Sequence, residues 1–139
     1  MNPQAVTPTR EPTVSPSVNL QAFALDCEDA VALAEFYAAL LGAEADTEDP
    51  EWTEVAVDGG VRLAFQKVAE HRAPRWPDPV HPQQAHLDFG VPDLEAAEKH
   101  ALALGASFVE DRVRPDGTGW RVYTDPAGHP FCLCVSGRG

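Results

Sequence analysis

Alternation of apolar and polar residues takes turns with helical spacing along this chain, twice over and in the same order. The first unit is predicted to contain a strand over Asn19 to Cys27, a helix over Ala30 to Leu41 and a strand near Trp52 to Val57. A turn at Asp58-Gly59-Gly60 then leads into a strand over Val61 to Val68, and a short further strand falls within Glu44 to Thr47. The second unit is predicted as a strand over Gln84 to Val91, a helix over Asp93 to Leu104, and strands over Ser107 to Val113 and Trp120 to Thr124. The turn Asp125-Pro126-Ala127-Gly128 leads into a last strand over Pro130 to Val135. In the first helix Leu33, Phe36, Tyr37, Leu40 and Leu41 share one face; in the second, Leu94, Ala97, Ala101 and Leu104 make a thinner stripe. Asp29 and Asp93 stand where a carboxylate can accept first-turn N–H groups. Gly42 and Gly105 stand where a left-handed residue ends a helix.

Strand alternation sorts the side chains onto two faces. Phe23 and Leu25, Leu63 and Phe65, Ala85, Leu87, Phe89 and Val91, and Phe131, Leu133 and Val135 fall on the helix side. Ala22, Ala24 and Asp26, Arg62, Ala64 and Gln66, Gln84, His86 and Asp88, and Cys132 and Cys134 fall on the other. A solvated outer face would carry more Lys and Glu. Ala, Cys, Gln and His there suit a cavity wall that holds a small molecule.

Four prolines within the first 17 residues preclude helix and ladder, so residues 1–17 are expected to be a disordered tail. One domain is expected over 18–137, made of modules 18–68 and 83–137 joined by a proline-rich linker, 69–82. The formal net charge of −12 is not spread evenly. No Lys or Arg lies between Arg10 and Arg62, and that interval holds 12 of the 22 acids. The chain therefore lacks a basic footprint for nucleic acid. No apolar run reaches the roughly 20 residues that span a bilayer, no signal-peptide pattern opens the chain, and a cytoplasmic location is expected. Three cysteines, Cys27, Cys132 and Cys134, make neither a disulfide framework nor a zinc-knuckle spacing.

Leu25-Asp26-Cys27-Glu28-Asp29 runs into Ala34-Glu35-Phe36-Tyr37 and Leu40-Leu41-Gly42. Leu63-Ala64-Phe65-Gln66, His86-Leu87-Asp88-Phe89 and Asp125-Pro126-Ala127-Gly128-His129-Pro130-Phe131-Cys132-Leu133 follow. In this order the set resembles the vicinal oxygen chelate superfamily, the glyoxalase, bleomycin-resistance and dioxygenase fold. The resemblance implies an α+β fold in which two βαβββ modules pair curved mixed sheets around a cavity, helices on the outer face, and a homodimer. Its metal-dependent members hold a divalent ion with inward strand residues. Those positions fall here on Ala22, Gln66, His86 and Cys132, a poor set for magnesium, manganese or nickel.

The expected function is small-molecule binding in the sheet cavity, without a catalytic metal or other cofactor. Gln66, His86, Asp88 and Cys132 would be the polar points, with Trp52 and Trp120 as walls or as plain packing. Two alternatives stay open. One is a glyoxalase-type lyase or isomerase, or a dioxygenase-like enzyme, using a divalent metal; His86 would be ligand or base, Cys132 ligand or nucleophile, and Glu54 a further carboxylate. The other is sequestration of a cationic drug, as in bleomycin resistance. His71, His81, His100 and His129 are expected at the surface. No phosphate-binding glycine loop or serine elbow occurs.

Overall fold

The computed structural model describes residues 20–75, 78–82 and 85–135. The tail 1–17, Asn19, Gln84 and part of the linker lie outside them. The first unit comprises β1 (Ala22–Cys27), α1 (Ala30–Leu41), β2 (Ala45–Asp46), β3 (Trp52–Ala56) and β4 (Arg62–Lys67). The second comprises β5 (Leu87–Gly90), α2 (Leu94–Leu104), β6 (Ser107–Asp111), β7 (Gly119–Thr124) and β8 (Pro130–Val135). Each makes one four-stranded sheet, in the orders β1-β4-β3-β2 and β5-β8-β7-β6. In each, the first and last strands of the module pair in parallel and the other ladders are antiparallel. The fold is α+β, two βαβββ modules, and neither sheet closes on itself.

The helices start and stop where the side chains dictate. Asp29 accepts the Ala32 N–H at 3.0 Å and Asp93 accepts the Ala96 N–H at 3.1 Å. Gly42 ends α1 with φ at 68°, a left-handed conformation that favours glycine.

Both modules share one core. Leu33, Phe36 and Tyr37 of α1 are buried. Tyr37 stacks on Phe65 of β4 and meets Phe131 of β8 edge-on, with ring centroids 5.4 and 6.2 Å apart. α1 thus packs under both sheets and leaves their other faces free.

Three details differ from the alternation pattern. The strand expected from Gln84 begins at Leu87, so His86 precedes it. Carrying the register back one residue sets His86 beside Pro130, which has no N–H to extend the ladder. Phe23 is half-exposed, because β1 is a sheet edge bordering a cleft beneath the linker. Leu41, at the end of the α1 stripe, is exposed as the helix turns away at Gly42.

Candidate functional site

β5 and β8 lie side by side with Asp88 directly opposite Cys132 and Gly90 opposite Cys134. β7 adds Val122 opposite Cys132 and Trp120 opposite Cys134. Because side chains alternate across a sheet, these residues, with His86 two positions before Asp88, share the face turned away from the helices. All of them but Gly90 line a cavity of about 390 Å³, joined by Glu110, Arg112 and Pro130.

Asp88 is bracketed within it. His86 Nε2 lies 3.2 Å from Asp88 Oδ1, and one ligand atom each of His86, Asp88 and Cys132 lies within 4.8 Å of the others. Burial, reinforced by the Asp88 charge, pushes the Cys132 thiol up to about 12. Burial and Asp88 also raise Cys134. Both sulfurs are therefore thiols at neutral pH, and thiolate chemistry is suppressed. The Trp120 ring carries the Arg114 guanidinium 5.7 Å from its centroid. Glu110 pairs with Arg112 at the rim, which leaves the cavity with carboxylate in excess.

Of the six residues expected to contact a ligand, His86, Asp88, Cys132 and Trp120 lie together in this cavity, while Gln66 and Trp52 lie on the other sheet, facing each other across β3 and β4. There Glu54 accepts from Trp52 Nε1 and from Arg62, both at 2.8 Å. Ala64 lies opposite Glu54 and is fully buried on a face that alternation left open. Glu54 is thus engaged by Trp52 and Arg62 on the free face of the first sheet.

Sequence alternation missed Glu110 and Arg112. The β6–β7 register shifts between Phe108 and Glu110. Such a bulge turns the residues after it to the other face. Phe108 accordingly packs edge-on against core Tyr123, while Glu110 and Arg112 reach the cavity. Nothing in the sequence of β6 marks the bulge.

The two modules match closely in register. Asp29 and Asp93 cap equivalent helices, so β1 and β5 align three residues before them, Asp26 on Gly90. Gln66 pairs with Asp26 and Trp52; Cys134 pairs with Gly90 and Trp120. Gln66 is therefore the counterpart of Cys134. His86, Asp88 and Cys132 have Ala22, Ala24 and Ala64 as their counterparts. The three first-module positions that answer His86, Asp88 and Cys132 are thus all alanine.

The hard divalent ion of metal-dependent relatives finds no matching donors. Ala22 carries none, and Gln66 stands opposite Trp52 rather than in the cavity. Among the described residues, Asp88 and Glu110 are the carboxylates that line it, and Glu110 is engaged by Arg112. Magnesium or manganese requires a fuller oxygen set.

A larger cleft of about 690 Å³ runs between β1 and the linker. His81 of this cleft and His100 are exposed as expected, but His71 and His129 are half-buried, with ring centroids 5.2 Å apart. Their Nε2 atoms bond the carbonyls of Ala127 at 2.7 Å and Asp26 at 2.6 Å. They tie the linker and the last turn to the first sheet.

Paired βαβββ modules with a polar cavity on an open sheet face define a protein of the vicinal oxygen chelate class. The model of the glyoxalase-like domain family matches residues 22–134, and the chain belongs to that family. No curated protein matches the sequence. Solved structures share the fold. A glyoxalase/bleomycin resistance protein/dioxygenase family enzyme from Burkholderia phytofirmans PsJN is 16% identical with a TM-score of 0.65, over 85% of this chain and 98% of that one. A glyoxalase-related enzyme from Fulvimarina pelagi is 19% identical with a TM-score of 0.64, over 85% and 88%. Lactoylglutathione lyase from Agrobacterium tumefaciens is 20% identical with a TM-score of 0.58, over 87% and 96%. Among the described residues no helix is long and apolar enough to cross a membrane.

Proposed function

We propose that the chain binds an organic small molecule directly in the cavity of the second sheet, without a hard divalent metal between protein and ligand. The carrying observation is the 390 Å³ cavity in which the Asp88 carboxylate lies against His86 and close to Cys132, with the Trp120 indole in the same wall. Apolar and aromatic walls with a few convergent polar groups are what a small-molecule site requires. Carboxylate in excess favours a ligand that brings hydrogen-bond donors or positive charge, as a cationic drug does. Trp120 offers a face for a planar group. A cytoplasmic location belongs to the same proposal, supported by three free cysteines. So does a homodimer, in which a second copy covers the open side of the cavity; light scattering on the purified chain tests it.

The His86–Asp88 contact favours a second function, proton transfer in a lyase or isomerase. A carboxylate at 3.2 Å orients the imidazole as a base. Cys132 would then serve as a neutral donor rather than a nucleophile.

The test is a thermal-shift screen of the untagged chain, in a chelating buffer, against planar neutral and cationic aromatic compounds. A hit that stabilises the native chain, but not Asp88→Ala or Trp120→Ala, supports binding here. Hits indifferent to both variants would place the ligand elsewhere. Hits that appear only in a parallel screen without chelator would restore a metal to the site.

A further inference from the structure

We propose that Arg114 sets the charge of the ligand: it selects an uncharged planar group on Trp120, with a hydrogen-bond donor turned to Asp88, over a cation of the same shape. This rests on the reading that the cavity of the second sheet takes an organic ligand. An indole has two faces, and Arg114 covers one of them, its guanidinium carbon 5.7 Å from the ring centroid. The face left for a ligand belongs to a π cloud already engaged by a positive charge.

The turn between β6 and β7 fixes that charge in place. The Arg114 N–H donates to the Thr118 carbonyl at 2.7 Å, and the N–H of Gly117, whose φ is 91°, donates to the Arg114 carbonyl at 2.9 Å. Arg114 Nη1 donates to Thr118 Oγ1 at 3.1 Å. Arg112, two residues earlier, is neutralised by Glu110, whereas Arg114 is held by this hydroxyl. Asp116 accepts from the same hydroxyl at 2.7 Å and offsets part of the charge.

A ring stacked on the open face, about 3.5 Å from the indole, lies roughly 9 Å from the guanidinium. Asp88 is on β5, with β8 between it and β7, so two strand spacings, roughly 10 Å, separate it from Trp120. Repulsion from Arg114 and attraction to Asp88 therefore nearly cancel at the indole. A cation stacked there sheds water for no net attraction. A neutral group loses nothing to Arg114 and keeps its donor's bond to Asp88.

Nicotinamide and 1-methylnicotinamide, planar rings that differ by one positive charge, are titrated into the full-length chain as quenchers of tryptophan fluorescence. The Trp120 component is the difference from Trp120→Phe. We expect Arg114→Gln to raise quenching by 1-methylnicotinamide about threefold and to leave nicotinamide unchanged. Arg114→Lys keeps the charge and the native ratio of the two. Arg114 is exposed in its turn, so neither variant removes a core contact. An unchanged ratio in Arg114→Gln overturns the proposal. So does quenching by both rings that rises in step, which would report a ring merely uncovered. The ligand screen can fail while this ratio moves, or succeed while it stays, so the two failures are distinct.

Discussion

Tyr37 donates its phenolic hydrogen to Asp125 Oδ2 at 2.6 Å, joining α1 of the first module to the last turn of the second. Asp125 Oδ1 accepts the N–H groups of Ala127 and His129, so the carboxylate is fully occupied although buried. Tyr37→Phe leaves Oδ2 buried without a partner and should cost about 1 to 3 kcal/mol in denaturant unfolding.

Burial raises the Asp125 carboxyl above its ordinary range, against the lowering effect of Tyr37. The folded state thus holds this proton more tightly than the unfolded state. The stability linked to it is present at low pH and is lost as pH rises through the folded value. The stability difference between wild type and Asp125→Asn, measured from neutral pH down into the carboxylate range, should therefore shift in favour of wild type on acidification. A difference that is flat, or that moves the other way, contradicts the assignment.

Gly119 opens β7 with φ at 130°, and a Cβ there would run into the backbone carbonyl of Arg112. Gly119→Ala faces both a strained backbone and a fixed obstacle. The expected loss is at least about 2 kcal/mol. Because Arg112 lines the cavity and Trp120 follows directly, ligand binding should weaken too. Equilibrium unfolding and the thermal-shift response to a hit measure the two effects separately.

The modules were legible because each local signal agreed with the others: caps at Asp29 and Asp93, stops at Gly42 and Gly105, and period-two strands between them. His86, Asp88 and Cys132 were also legible as one face, since alternation within two short strands fixes it. Two things were not. The bulge in β6 reverses the face of Glu110 and Arg112, and no residue type there signals it. The match between modules needs ladder register, which shows that Gln66 answers Cys134 and so separates Gln66 from the cavity. Sequence likeness alone had set Gln66 beside His86.

Trp52 and Trp120 are counterparts with different surroundings. Trp120 lines the cavity, whereas the Trp52 indole is tied to Glu54 on the other sheet. For a ligand bound beneath the second sheet, Trp120→Ala should cost about 1 kcal/mol of affinity, roughly fivefold, and Trp52→Ala nothing. Titration of the two variants with the same compound distinguishes them. Equal losses would mean a ligand touching both sheets.

The charge of Asp88, directly opposite Cys132, also governs thiol reactivity. After burial, Asp88 is the largest cause that pushes Cys132 up to about 12, and it raises Cys134 as well. Asp88→Asn removes the charge, lowers both thiols and increases the thiolate fraction. Iodoacetamide alkylation of the folded chain at mildly alkaline pH, resolved by peptide mass spectrometry, should be slow at Cys132 in wild type and faster in Asp88→Asn. Cys27, raised to about 11 chiefly by burial with smaller contributions from Asp125, Asp26 and Asp29, should be unaffected, because Asp88 is not among the charges acting on it. A general rise at all three cysteines would instead report loosening of the fold.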